Sequence, residues 1–267
     1  MNDFENNNYP NIRQSFGIAG IFILAELLMI PYYRLIDKFI STEASQLIYY
    51  LLSAGITFLI VYSIRKHYTD NTTFNFEIKN KRVIPLVIIA ATALMVGIIA
   101  PLVYLLPSPE SFVESLHDSE SKSGIFFTFL FMVIAAPIFE ELIFRGIMLD
   151  GLLKKYSPVK SILVSSFLFG FVHLNPWQFV MGLFLGGFTG WIYYKTECVS
   201  LTIIIHASIN LMGVLSRNFG DSDSSYMNES LVESFGGTLN FVLAVICFVS
   251  IFLTAIYFLR REFDKFY

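Results

Sequence analysis

The sequence predicts an all-α protein, a polytopic membrane bundle of about eight transmembrane helices, and three observations carry that expectation. Of its 267 residues, 55% are hydrophobic and 15% charged, with a mean hydropathy of +0.63, whereas soluble domains hold about 25% charged and about 45–50% apolar residues. Apolar runs long enough to cross a bilayer recur from one end of the chain to the other, so residues 1–267 read as a single membrane domain with no room for a separate soluble one. Lys and Arg, finally, gather in alternate connections between those runs.

The runs are Phe16 to Tyr33, Gln46 to Ile64, Val83 to Leu106, Gly124 to Leu149, Val159 to Leu174, Trp177 to Tyr194, Val199 to Leu215 and Thr238 to Leu259. Lipid offers no partner to a free backbone group, so segments of this length and polarity are expected to be helical. The first is followed by Tyr32, Tyr33 and Arg34 without a small-residue cleavage site, which makes it an anchor rather than a signal peptide. Only Asn175 and Pro176 separate the fifth and sixth runs, a spacing suited to a tight helical hairpin or to one re-entrant element. On the sixth run Gly182, Gly186 and Gly190 form a small-residue stripe that lets another helix approach closely.

With both termini on the cytoplasmic side, the inner connections and ends hold Arg13, Arg65, Lys66, Lys79, Lys81, Arg82, Lys154, Lys155, Lys160, Lys195, Arg260, Arg261 and Lys265. The outer side then holds only Arg34, Lys38, Lys122 and Arg217. That asymmetry predicts an N-in, C-in protein. The outer loops Pro107 to Ser123 and Ser216 to Gly237 are acidic and Ser-rich, as solvated loops are. A net charge of −3 and a pI near 5.8 exclude a nucleic-acid partner, which would require a dense basic face. The two cysteines, Cys198 and Cys247, fall at different expected depths and form no CxxC pair, so neither a disulfide nor cysteine redox chemistry is expected.

Chemistry enters with the ionisable residues inside the apolar runs. The fourth run reads Glu140-Glu141-Leu142-Ile143-Phe144-Arg145, and each such charge near a helix centre costs roughly 2.5–3.5 kcal/mol to insert. Glu141 and Arg145 stand at i and i+4 with the acid first, the favourable order for a pair within one helix, either as a structural ion pair or as support for a site. Glu140 remains available, about 100° around the helix. Pro137, one turn earlier, removes a backbone donor, freeing the carbonyl of Val133 and kinking the helix. The fifth run carries Phe169 and His173 on one face, and the seventh His206 and Asn210. Two of only four histidines therefore lie in membrane segments, where each alone would more often glue helices than catalyse, and where a shared site would account for both. Counted along the helices from their cytoplasmic ends, His206 lies about 10 Å deep, Glu140 about 15 Å and His173 about 20 Å, which suggests an entry facing the cytoplasm.

In these residues the sequence resembles the CPBP family of intramembrane proteases, the CAAX-protease and bacteriocin-processing group also called Abi. Its motifs occur in order as EExxxR (Glu140, Glu141, Arg145), FxxxH (Phe169, His173) and HxxxN (His206, Asn210), within a stretch from residue 124 to 215 that would form the catalytic core. The resemblance implies an all-helical fold and an endopeptidase acting on a membrane-associated peptide or protein. Glu140 and His173 would activate water, His206 and Asn210 would stabilise the oxyanion, and Glu141, Arg145 and Phe169 would support them. It also leaves open a metalloprotease in which Glu140, His173 and His206 bind Zn²⁺; a metal-free glutamate mechanism with no cofactor is preferred, because no HExxH is present and the candidate ligands come from three helices. The resemblance implies removal of a C-terminal tripeptide from prenylated CAAX proteins, maturation or leader cleavage of small peptides, or self-protection against bacteriocins. The abundance of Asn, Ile, Lys and Phe points to an AT-rich bacterial genome and hence a bacterial cytoplasmic membrane. Two other classes fit a bundle with buried acids and histidines: a catalytically silent scaffold or immunity protein, and a proton-coupled transporter.

Overall fold

A computed structural model describes residues 8–70, 72–107, 124–219 and 231–267. Every predicted run is a helix: α1 (Ile12–Ile36), α2 (Thr42–Tyr68), α3 (Val83–Tyr104), α4 (Ile125–Leu153), α5 (Pro158–Phe171), α6 (Pro176–Thr196), α7 (Val199–Phe219) and α8 (Thr238–Phe266), with one short turn at Leu231–Ser234. The structure is thus an all-α polytopic bundle. Most of the acidic residues expected in the outer loops, from Glu110 to Glu120 and from Asp221 to Glu229, lie outside the described residues.

The count of spans differs from the expected eight. Six helices, α1 to α4, α7 and α8, are long and apolar enough to cross a membrane. Helix α5 has 14 residues, about 21 Å of rise against a hydrocarbon core of about 30 Å. Helix α6 is long enough, at 21 residues, but its glycines, tyrosines and threonines dilute its apolar character. The two form a hairpin rather than two independent spans. Its turn is built by Leu174 in the left-handed region (φ 55°) and by Asn175, whose side chain accepts from the Gln178 N–H at 2.8 Å and caps α6. Pro176 follows at the first helical position, where its missing donor has no consequence. Since α5 stops at Phe171, His173 sits in the turn and not on a helix face.

Helix α4 is the central element. From Ile143 to Leu149 seven consecutive residues are buried, so neighbours surround the helix on all sides. Helix α8, by contrast, is peripheral and exposes Leu239, Leu243, Ile246 and Leu253, the surface a lipid-facing helix presents. Cys198 is buried and Cys247 exposed, both as free thiols.

The hairpin depends on backbone proximity. A Cβ placed on Gly182 would come within 2.8 Å of the Gly170 Cα, and one on Gly186 within 2.9 Å of the Ser166 Cα, whereas one on Gly187 would meet nothing within 4 Å. The stripe therefore serves the α5–α6 contact. Gly182→Ala is expected to destabilise the detergent-purified protein by ~1–3 kcal/mol, and Gly187→Ala to leave its thermal unfolding unchanged. Equal unfolding temperatures for the two variants would remove the close-approach explanation.

Candidate active site

The carboxylates of α4 meet the rings of its neighbours inside the bundle. Glu141 and Arg145 are fully buried, and Glu140 and His206 nearly so. Glu141 is met by Arg145, by His206 and by the Thr202 side chain. Its Oε2 lies 3.1 Å from Arg145 Nε, and its Oε1 accepts from His206 Nδ1 at 3.0 Å. The Arg145 contact is an ion pair without a well-aligned hydrogen bond, and the terminal guanidinium nitrogens have no hydrogen-bond partner among the described residues. The guanidinium stacks instead over the Phe169 ring, 4.2 Å from its centroid, where the π face supplies part of the missing compensation.

Phe169 is a hinge between the motifs. Its ring packs edge-on against His173 (5.5 Å between centroids) and His206 (5.7 Å), with Arg145 on its face. Each histidine is oriented through one nitrogen. His173 Nδ1 lies 2.9 Å from the Phe169 carbonyl, which can only accept, so Nδ1 carries the proton and Nε2 of the neutral ring is free to accept. His206 Nδ1 is bound in the same way by Glu141, and its Nε2 lies 3.9 Å from Glu140 Oε2. The other oxygen of Glu140 accepts from the Tyr50 hydroxyl at 3.0 Å, which fixes the carboxylate from α2.

Asn210 is anchored by a defect in α4. Residues Leu130–Ala135 form a π-helical turn in which the Ala136 N–H bonds the Phe131 carbonyl five residues back. The next bond in that register would need an N–H at Pro137, which has none, so the Met132 carbonyl is left over and accepts from Asn210 Nδ2 at 2.7 Å. The carbonyl that Asn210 takes is therefore one residue earlier than the Val133 carbonyl an α-helical register implies. One amide N–H of Asn210 remains for other work.

These groups surround a cavity of about 860 Å³ whose lining includes Glu140, Phe169, His173, His206 and Asn210. Glu141 and Arg145 are not part of the lining. The cavity is also walled by Ile30 late in α1, Tyr49 and Tyr50 early in α2, Val103 late in α3 and Phe131 early in α4. All five belong to the end of the bundle where α1 passes to α2, away from the N-terminus of α1. The cavity thus lies toward the side opposite the one that the depths of His206 and Glu140 suggested. Those depths follow two helices, whereas these five residues come from four.

Sequence reasoning overlooked two lining residues. Tyr50 carries no signal in a tyrosine-rich chain. Glu26 does: it is the lone acid in the first apolar run, and an acid at such a position is a functional candidate by the same criterion that singled out Glu140.

Residues 122–212 match the model of the family described as type II CAAX prenyl endopeptidase Rce1-like. The matched stretch contains all three motifs, and it is consistent with the resemblance to the CPBP group. The chain is 29% identical over 99 residues to "Putative membrane peptidase YdiL" of Bacillus subtilis (strain 168), covering 35% of this chain and 41% of that protein. It is 33% identical over 81 residues to UPF0177 protein YxdF of Lactococcus lactis subsp. lactis (strain IL1403), covering 30% of this chain and 44% of that protein. The chain spans less than half the length of these two bacterial relatives. No solved structure matches it.

Removing one member of the buried pair tests its role in holding the site. Arg145→Met leaves Glu141 as a buried anion with His206 as its remaining strong partner, and a loss of ~3–5 kcal/mol in denaturant unfolding is expected. A loss below about 1 kcal/mol would mean that His206 alone neutralises Glu141.

Proposed function

We propose that the protein is an intramembrane endopeptidase that hydrolyses a peptide bond of a membrane-associated peptide or protein. The observation that carries this reading is the gathering of Glu140, His173, His206 and Asn210, from two helices and a turn, around one cavity. The Rce1-like match over residues 122–212 and the relative named a membrane peptidase support it.

The chemistry follows from the fixed donors and acceptors. Water held between Glu140 and His173 Nε2 loses a proton to Glu140 as its oxygen attacks the carbonyl carbon. Negative charge develops on the former carbonyl oxygen and is met by the remaining amide N–H of Asn210 and by the Nε2–H of His206, whose ring, donating through Nδ1 to Glu141 as well, is the imidazolium in this step. Collapse of the tetrahedral intermediate breaks the C–N bond, and the proton held by Glu140 passes to the leaving nitrogen. Glu141 and Arg145 act through His206, whose ring Glu141 orients.

The donor types also suit Zn²⁺, since His173 and His206 each direct one nitrogen to a carbonyl or carboxylate, as ligating histidines do. Glu140, His173 and His206 would hold the ion, which would supply a Lewis acid and an activated water. Among the described residues no group of three His, Cys, Asp or Glu side chains stands at metal-holding distance. With purified protein and a membrane-peptide library, Glu140→Ala is expected to abolish cleavage, and wild-type cleavage to survive chelation. Activity lost to the chelator and restored by Zn²⁺ would replace the glutamate mechanism with a metal-dependent one.

The distribution of Lys and Arg supports an integral protein of the bacterial cytoplasmic membrane with both termini inside, which puts the cavity in the outer half of the bilayer. A single cysteine at Leu174, with Cys198 and Cys247 replaced, is then expected to react with a membrane-impermeant thiol reagent added to intact cells. Reaction only in inside-out vesicles would reverse the orientation.

A further inference from the structure

The mechanism above leaves one ionisable group of the cavity without a task. Glu26 stands in the middle of α1, and its carboxylate accepts from the Ser53 hydroxyl at 2.6 Å. The backbone carbonyl of the same residue accepts from the Tyr49 hydroxyl at 2.9 Å. One face of α2 therefore sets two carboxylates on the cavity wall, Ser53 holding Glu26 and Tyr50 holding Glu140.

The lining contains no Lys or Arg. The cation nearest the catalytic groups, Arg145, is fully buried, paired with Glu141 and covered by Phe169. Glu26 takes part in no ion pair among the described residues, and the other acid of the wall, Glu140, accepts from Tyr50 and lies 3.9 Å from His206 Nε2. A wall with two acids and no Lys or Arg attracts a cation at Glu26, and low-dielectric surroundings strengthen the effect. Its aromatic lining, which includes Tyr49, Tyr50, Phe131 and Trp177, offers the π faces that a desolvated ammonium or guanidinium prefers.

We propose that Glu26 is a specificity-determining residue, whose carboxylate receives the cationic side chain of a Lys or Arg close to the scissile bond of the substrate peptide. This rests on the peptidase reading and narrows its substrates to peptides with a basic residue beside the cleavage site. Ser53 is a positioning residue: its hydroxyl holds one oxygen of Glu26 toward the cavity, with the Tyr49 hydroxyl beside the same residue.

The test pairs cleavage with binding. Fluorogenic membrane-associated peptides that differ only in carrying Lys, norleucine or Glu at each position flanking the cleaved bond are offered to wild type, Glu26→Gln and Glu26→Lys in detergent micelles. Gln preserves the shape and the hydrogen bond to Ser53, and helix content with monodisperse elution verifies the fold of both variants. Wild type is expected to favour the Lys peptide at one flanking position over its norleucine counterpart, and Glu26→Gln to lose roughly ten- to hundredfold in kcat/KM for that peptide, mostly through KM. Its kcat/KM for the norleucine peptide stays near the wild-type value, and Glu26→Lys shifts the preference to the Glu peptide. Equal use of Lys and norleucine peptides by wild type at every position, or an equal loss on both in Glu26→Gln, overturns the proposal. Equilibrium binding of the same labelled peptides separates it from the peptidase reading: if wild type binds the Lys peptide tightly, Glu26→Gln binds it weakly and neither cleaves anything, the anionic subsite stands and the peptidase reading falls. Equal binding by both proteins overturns the subsite on its own.

Discussion

Every part of the candidate site depends on how the interior accommodates the charge of Glu141. An acid within a membrane helix is tolerated only where other groups replace its hydration, and here two of the groups around Glu141 do so from opposite sides. Arg145 reaches back from the next turn of α4 to one oxygen, and His206 reaches across from α7 to the other. The first contact belongs to the helix itself and would exist in any packing of it. The second exists only when α7 lies against α4 in one register, so neutralising the acid selects that register. The EExxxR and HxxxN motifs are thereby linked through a single carboxylate, and Phe169, lying over the guanidinium and against both histidine rings, draws in the third.

A second link is made of backbone. Pro137 cannot continue the hydrogen-bond ladder of α4, and the π-helical turn before it moves the surplus carbonyl to Met132. A buried carbonyl without a donor is costly in lipid, and Asn210 supplies the donor. Two separate bonds thus tie α7 to α4, from His206 and from Asn210 one turn later, and together they fix the rotation of α7 as well as its height. The same pair that would stabilise an oxyanion is what aligns the helix, so its catalytic and architectural uses draw on different atoms of the same residues: Nδ1 and Nε2 of His206, and the two amide hydrogens of Asn210.

Hydropathy made the helices legible because each apolar run must satisfy its backbone internally, and the runs agree with the observed helices to within a few residues except where polar ends extend them, as at Thr42–Tyr68 and Thr238–Phe266. It carried α5 three residues too far, because Val172 and Leu174 continue an apolar run that the backbone has already left through its turn. The motif residues were legible from their i, i+4 spacing in segments where ionisable groups are rare. Tyr50 and Ser53 were not, because their contribution is a hydroxyl presented from a distant helix and no local spacing encodes it. Glu26 lay between these cases: its charge was visible in the sequence, but it has no motif partner, and only the fold brings α1 beside α2 and the cavity.

The placement of charge explains how one interior serves both stability and chemistry. The protein holds its buried cation, Arg145, behind Phe169, against the acid that needs neutralising, and keeps it out of the cavity. A cavity with an exposed guanidinium would bind the Glu140 carboxylate tightly and leave a weaker base for water. With the guanidinium sequestered, Glu140 is held instead by the Tyr50 hydroxyl and faces Nε2 of His206. The electrostatic consequence extends beyond Glu140, since the same sequestration leaves the cavity wall with two carboxylates and no Lys or Arg, the charge pattern on which the proposed role of Glu26 rests.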